Sequence, residues 1–256
     1  MRLLITGLNG SLAPKVAAQA RSGGFEVVGW DRRAVSPDDS QAVASWLAEQ
    51  RLDAIAHLAF GPESFAAQLA RHAAEHGIPF LFTSTAMVFH HEPDGPHHVA
   101  DPRTAKDDYG RYKIRCEDAV RASNPAACIV RLGWQIDPTP SGNNMLAALD
   151  AQQAREGGIK VSTRWRPACS FMADTAAAIL SLLSARATTT IHLDSNAREG
   201  HSFAAIVHAL RRTYGRAHWG VRPTLDYAHD QRLLDQAALL PNLSVRLPAL
   251  LSDEQE

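Results

Sequence analysis

The chain has 256 residues, enough for one large domain, and 45% of them are hydrophobic, which supports a packed core and excludes a disordered chain. Lys and Arg number 26 against 27 Asp and Glu, so no basic excess marks a nucleic-acid partner and no polybasic run marks a membrane surface. Apolar stretches fall short of a membrane span, and Met1–Thr6 runs straight into an expected strand with no room for a signal peptide, so a cytoplasmic protein is expected. Cys116, Cys128 and Cys169 lack metal-type spacing and read as free thiols of a reducing compartment.

In chain order, short apolar runs alternate with helical patterns, the mark of a parallel sheet covered by helices. Strands are expected at Leu3–Thr6, Glu26–Trp30, Ala54–Ala59, Pro79–Thr83 and Ala127–Leu132. Helices are expected at Ala13–Ser22, Ser40–Gln50, Ser64–His76 and Tyr109–Ala122, with Gly77 as a helix stop. Only one helix fits between Trp30 and Ala54, where a full doubly wound sheet would place another strand, so that third strand is expected to be absent or vestigial. Residues 90–108 are polar and proline-rich and read as a long loop. Beyond it, helices fit Met145–Arg155, Asp174–Ser184 and Ser202–Tyr214, and a short strand fits Thr190–Leu193. The fold class is α/β, a Rossmann-type doubly wound parallel sheet with a small C-terminal substrate lobe. The chain is read as a single unit over 1–256, with a dinucleotide-binding core over about 1–135 and the lobe over about 136–256.

Gly7-x-x-Gly10-x-x-Ala13 follows the first strand and opens a helix, so backbone N–H groups and the helix dipole can meet a pyrophosphate. Asp31 ends the next strand about twenty residues beyond Gly10, the place of an adenosine-ribose acceptor. Its charge would repel a 2′-phosphate, whereas Arg32 and Arg33 would neutralise one, so NAD and NADP both stay open. Tyr109 and Lys113 lie one helical turn apart and project from one helix face. His90-His91 and His97-His98 are adjacent pairs whose side chains do not converge as i, i+4 pairs do, and no metal site is expected.

Taken together, Thr6-Gly7-Leu8-Asn9-Gly10-Ser11-Leu12, Asp53-Ala54-Ile55-Ala56-His57-Leu58-Ala59, Ser84-Thr85-Ala86-Met87-Val88-Phe89, Tyr109-Gly110-Arg111-Tyr112-Lys113 and Arg131-Leu132-Gly133-Trp134 resemble the extended short-chain dehydrogenase/reductase family, of the NAD-dependent epimerase/dehydratase type. The chain looks most like the sugar-nucleotide branch that includes dTDP-4-dehydrorhamnose reductase, over about residues 1–185. The resemblance implies an NAD(P)-dependent oxidoreductase with Thr85, Tyr109 and Lys113 as catalytic residues. Tyr109 would exchange a proton with the substrate oxygen, Thr85 would bond that oxygen, and Lys113 would lower the phenol's pKa and bond the nicotinamide ribose. The cofactor would be held by Gly7, Asn9, Gly10, Ser11, Leu12, Asp31, Arg32, Leu58, Ala59, Phe60, Tyr109, Lys113 and Trp134. Met87, His90, Trp134, Asn143, Asn144 and Arg166 would face the substrate, with Arg166 pairing a diphosphate.

The resemblance also implies the reaction, 4-keto reduction of a nucleotide-activated sugar, and leaves the homodimer open as the assembly. Two other readings stay open: a sugar-nucleotide epimerase with tightly held NAD, and a non-catalytic NAD(P)-binding regulatory protein. The chain departs from the family pattern at Ala13, where glycine is usual. It departs again at Gly61-Pro62-Glu63-Ser64, which leads quickly into a short helix without the asparagine that relays protons in relatives.

Overall fold

A computed structural model of the chain describes residues 1–139 and 142–251. In chain order the elements are β1 (Arg2–Thr6), α1 (Leu12–Ser22), β2 (Glu26–Gly29), α2 (Ser40–Gln50), β3 (Ala54–His57), α3 (Glu63–Glu75), β4 (Phe80–Thr85), β5 (His97–His98), α4 (Asp108–Ser123), β6 (Cys128–Leu132) and β7 (Trp134–Ile136). There follow α5 (Met145–Glu156), β8 (Ile159–Ser162), β9 (Trp165–Arg166), β10 (Cys169–Phe171), α6 (Met172–Ser184), β11 (Thr190–Leu193), α7 (Phe203–Thr213), β12 (Val221–Thr224), β13 (His229–Asp230), β14 (Leu233–Leu234) and α8 (Leu243–Arg246). The chain divides into two compact units, each assembled from separated stretches. The first comprises Met1–Val88, Ala105–Arg131 and Ala176–Ile191; the second comprises Phe89–Thr104, Leu132–Thr175 and His192–Glu256.

The central parallel sheet has six strands in the order β11-β6-β4-β3-β1-β2. Strands β3, β4 and β6 are buried along their whole length, which is why they read as unbroken apolar runs. On one face Leu4, Ile55, Phe80 and Phe82 pack with Val43 and Leu47 of α2, Phe65 and Leu69 of α3 and Val120 of α4. Their strand neighbours Leu3, Ile5 and Leu81 point the other way and are also fully buried, so both faces are covered, as a doubly wound sheet requires. Strand β2 is an exposed edge, and α2 alone joins it to β3. The third strand is therefore absent, as the spacing predicts. The strand end expected at Trp30 falls one residue earlier, because that indole turns off the edge to meet Trp46 and Phe65, each with centroids 4.7 Å away. No helix among the described residues is long and apolar enough to cross a membrane.

The second unit has its own core, in which Met145, Leu146, Ile159, Val207, Leu210 and Trp219 are fully buried. It is stitched by two-stranded parallel pairs: β10 with β7, β12 with β8, β13 with β9 and β14 with β5. Among these, β5 lies inside the segment that the sequence marks only as a long loop.

Strand order reverses between β1 and β3, and the carboxyl ends of strands at such a switch point form a natural ligand crevice. There Thr6 stands opposite His57 in register. Thr6 Oγ1 accepts the N–H groups of Leu58 and Ala59, each at 3.0 Å, so its own proton is left for His57 Nδ1 at 2.8 Å. The His57 ring lies between Phe65 and Phe82, with centroids 5.4 and 5.6 Å away. Burial, and secondarily the charge of Lys113, pushes its pKa down to about 3, so it is a neutral imidazole.

Two outcomes follow from this junction. Thr6→Val keeps the shape and strands two backbone donors, and should lower the urea-unfolding free energy by about 2 kcal/mol or more; an unchanged midpoint and slope would show that the hydroxyl is dispensable. The depressed folded-state pKa of His57 means that its contribution is fully present above the unfolded value of 6.5 and is lost as pH falls toward 3. Stability should therefore drop from pH 7 to pH 5, and drop less in His57→Asn. Equal losses in the two proteins would contradict this assignment.

Candidate active site

The turn after β1 is closed by Gly10 N–H donating to Gly7 C=O at 2.8 Å. Gly7 sits at φ +84°, and a Cβ there would lie 3.1 Å from Ala59 Cα and 3.2 Å from the Leu58 carbonyl carbon. Glycine is thus needed at Gly7 both for the backbone conformation and for the close approach to the segment after β3. Helix α1 begins at Leu12 with no capping bond from the Ser11 side chain and no acidic residue in its first turn. Pro14 removes one N–H from its first turn. A cradle that a Cβ would fill, next to a helix start with no side-chain cap, fits a dinucleotide pyrophosphate.

Gly7, Asn9, Gly10, Ser11 and Leu12 lie at the carboxyl end of β1, Asp31 and Arg32 beyond β2, and Leu58, Ala59 and Phe60 beyond β3. The structure thus brings these sequence-predicted residues to the ends of three adjacent strands. Asp31 is held in a turn, its Oδ1 accepting Arg33 N–H at 2.9 Å, while its carbonyl accepts from Ala34 and Val35. Asp31, Arg32 and Arg33 are all exposed. Phe60 is 69% exposed, with one face against Tyr112 at a centroid distance of 4.6 Å.

Helix α4 starts on Asp107, whose carboxylate accepts Gly110 N–H at 2.8 Å. Gly110 is required beside Tyr109, since a Cβ would come within 2.2 Å of Met87 C=O. Tyr109 is 41% exposed, yet its phenol is enclosed enough that burial, the largest cause, pushes its pKa up. A hydrogen bond with the Thr85 side chain pulls the other way. Lys113, 5% exposed, donates to Thr83 C=O at 2.9 Å and lies 4.7 Å from the centroid of the Phe82 ring. Burial lowers its own pKa to about 8, with Cys116 and Glu117 opposing.

Sequence reasoning missed Tyr112 as a support. Its hydroxyl donates to Gly61 C=O at 2.7 Å and accepts Gly61 N–H at 3.3 Å, pinning the shortened segment after β3 to α4. It also missed the Thr6–His57 junction, although both residues stand in quoted motifs. Only their register across the switch point shows the pairing.

Met87 is exposed beside Thr85 in the first unit, and its N–H donates to Thr85 Oγ1 at 3.2 Å. The other expected substrate residues belong to the second unit. Trp134 is half-buried and stacks with Trp165 and Phe203, at centroid distances of 6.3 and 6.0 Å. Asn143 is exposed. Asn144 is fully buried; its side chain caps α5 by accepting Ala147 N–H at 3.0 Å and donates to Thr139 C=O. Arg166 is exposed and gives its Nε–H to Gly200 C=O at 3.1 Å. Donor atoms of His90, His91 and Glu92 lie within 4.8 Å of one another. However, His90 Nδ1 accepts Glu92 N–H, so a neutral ring carries its proton on Nε2 and presents no lone pair to a metal while that bond stands.

Residues 63–229 match the family described as RmlD substrate binding domain. Among curated relatives, a dTDP-4-dehydrorhamnose reductase of Sinorhizobium fredii is 31% identical over 150 residues, covering 52% of this chain and 50% of that protein. The chain therefore spans about half the length of curated relatives it matches. Two solved structures share the fold. A dTDP-4-dehydrorhamnose reductase from Clostridium acetobutylicum superposes with a TM-score of 0.82 at 21% identity over 100% of both chains. One from Bacillus anthracis in complex with NADP gives 0.81 at 16% identity over 98% of this chain and 99% of that one.

Proposed function

The chain belongs to the RmlD substrate binding domain family, and from that membership and the Thr85–Tyr109 geometry we propose that it is an NAD(P)-dependent oxidoreductase reducing the 4-keto group of a nucleotide-activated sugar. The observation that carries the reading is the hydrogen bond between the Thr85 and Tyr109 side chains, which sets two hydroxyls together where one carbonyl oxygen could meet both.

A bound nicotinamide dinucleotide supplies the hydride. Tyr109 donates its proton to the substrate oxygen as the carbonyl becomes an alcohol, and Thr85 orients the same oxygen. Lys113, fixed by Thr83, offers its remaining N–H groups to the nicotinamide ribose. The Gly7–Leu12 turn holds the pyrophosphate, and Asp31 with Arg32 holds the adenosine ribose. Leu58, Ala59 and Phe60 line the cofactor. Trp134, Asn143 and Arg166 recognise the sugar nucleotide, with Met87 and His90. An epimerase begins from the opposite protonation state, since its phenolate first takes a proton from a sugar hydroxyl, and the burial that raises the Tyr109 pKa disfavours that phenolate. A cytoplasmic location is proposed on the ground that Cys116, Cys128 and Cys169 are all free thiols. A homodimer is the proposed assembly, to be tested by light scattering.

Tyr109→Phe should cut turnover of dTDP-4-dehydrorhamnose by about 100-fold or more while leaving cofactor affinity within about twofold. Parallel fluorescence titrations with NADH and NADPH supply the affinities. Unchanged turnover in Tyr109→Phe, or binding of neither nucleotide by the native protein, would contradict the proposal.

A further inference from the structure

Tyr109, Lys113 and Glu117 occupy successive turns on one face of α4. The face runs inward: Tyr109 is 41% exposed, Lys113 5% and Glu117 3%. At its inner end Arg131 of β6 grips the Glu117 carboxylate with a two-pronged fork, Nε to Oε1 at 3.0 Å and Nη2 to Oε2 at 2.8 Å. One turn outward, Lys113 donates to Thr83 C=O on β4, the strand next to β6. Two charged contacts therefore pin α4 over neighbouring strands.

We propose that the Glu117–Arg131 pair is a positioning device for Lys113: Arg131 occupies the Glu117 carboxylate, so the lysine ammonium stays on Thr83 and faces the cofactor side instead of turning inward to a buried anion. The alternative partner is close at hand, since Lys and Glu four residues apart on a helix are neighbours. A buried carboxylate stripped of its partner is costly and takes the nearest cation, and on this face that cation is Lys113. The other groups around the ammonium do not compete for it. His57 on β3 is neutral, Phe82 on β4 and Tyr112 on α4 present ring faces, burial keeps the Cys116 thiol protonated, and Tyr109 stays a phenol. The consequence for catalysis rests on the function proposed above; the geometry does not.

The test uses the full chain labelled with [13C]lysine, whose lysines are Lys15, Lys106, Lys113 and Lys160. The Lys113 signal is identified by its loss in Lys113→Met, and its titration is followed by NMR. In the native chain the midpoint should lie near 8. Arg131→Met should move it upward, because Glu117 is freed to pair with the ammonium. Glu117→Gln should move it downward, because Arg131 is left as an uncompensated cation. The double variant should return it close to the native value. Should Arg131→Met fail to fold, Glu117→Gln still reads the effect with the opposite sign. A Lys113 midpoint unmoved by either single change would overturn the proposal and reduce the pair to a clamp. With NADH, Arg131→Met should weaken binding by about tenfold, the loss of one charge-assisted hydrogen bond, and the double variant should recover it. Shifted midpoints in a protein that binds no dinucleotide would uphold the positioning role and defeat the cofactor reading.

Discussion

One threonine hydroxyl organises the part of the molecule on which the chemistry depends. Thr6 Oγ1 ties together the ends of β1 and β3, where the order of the sheet reverses. It accepts two backbone N–H groups and points its proton at a neutral histidine, so all of its hydrogen-bonding capacity is used. The adjacent Gly7 lets the backbone of Leu58 and Ala59 come within van der Waals range. The glycine turn, the start of α1 and the segment leading to Phe60 are thereby fixed with respect to one another. A crevice for an extended dinucleotide needs that relation held before the ligand arrives, because ordering it on binding would weaken affinity.

Helix α4 brings the second requirement. Asp107 starts it, Gly110 lets it approach the Met87 carbonyl, and Tyr112 ties it to Gly61. Its polar residues change role with depth. At the mouth, Tyr109 is a phenol bonded to Thr85, suited to giving a proton. Half-way in, Lys113 is a cation partly stripped of water, directed by Thr83. At the bottom, Glu117 and Arg131 neutralise each other. A face graded in this way separates proton donation from charge placement.

The sheet and its missing strand were legible because parallel strands buried on both faces read as continuous apolar runs. The stretch between Trp30 and Ala54 has room for α2 and nothing more. The glycine turn, Asp31 and the Thr85, Tyr109 and Lys113 set were legible as spaced motifs. What escaped was pairing across long separations. β9 meets β13 at Trp165 and His229, and β5 meets β14 at His97 and Leu233. Strands of two residues carry no periodicity to read. Glu117 and Arg131 escaped for the same reason, since nothing in a helix pattern says which strand residue lies beneath it. The local sequence around Asn144 likewise does not show that its side chain caps α5 in a buried position.

The proposed reaction is hydride transfer to a sugar carbonyl with Tyr109 supplying the proton. It is tested most directly by a single turnover of dTDP-4-dehydrorhamnose with NADH or NADPH deuterated at the transferring position, followed by mass analysis of the sugar. One deuterium in the product and one equivalent of oxidised cofactor are expected. An isomerised sugar without deuterium, with the cofactor unchanged, would contradict it.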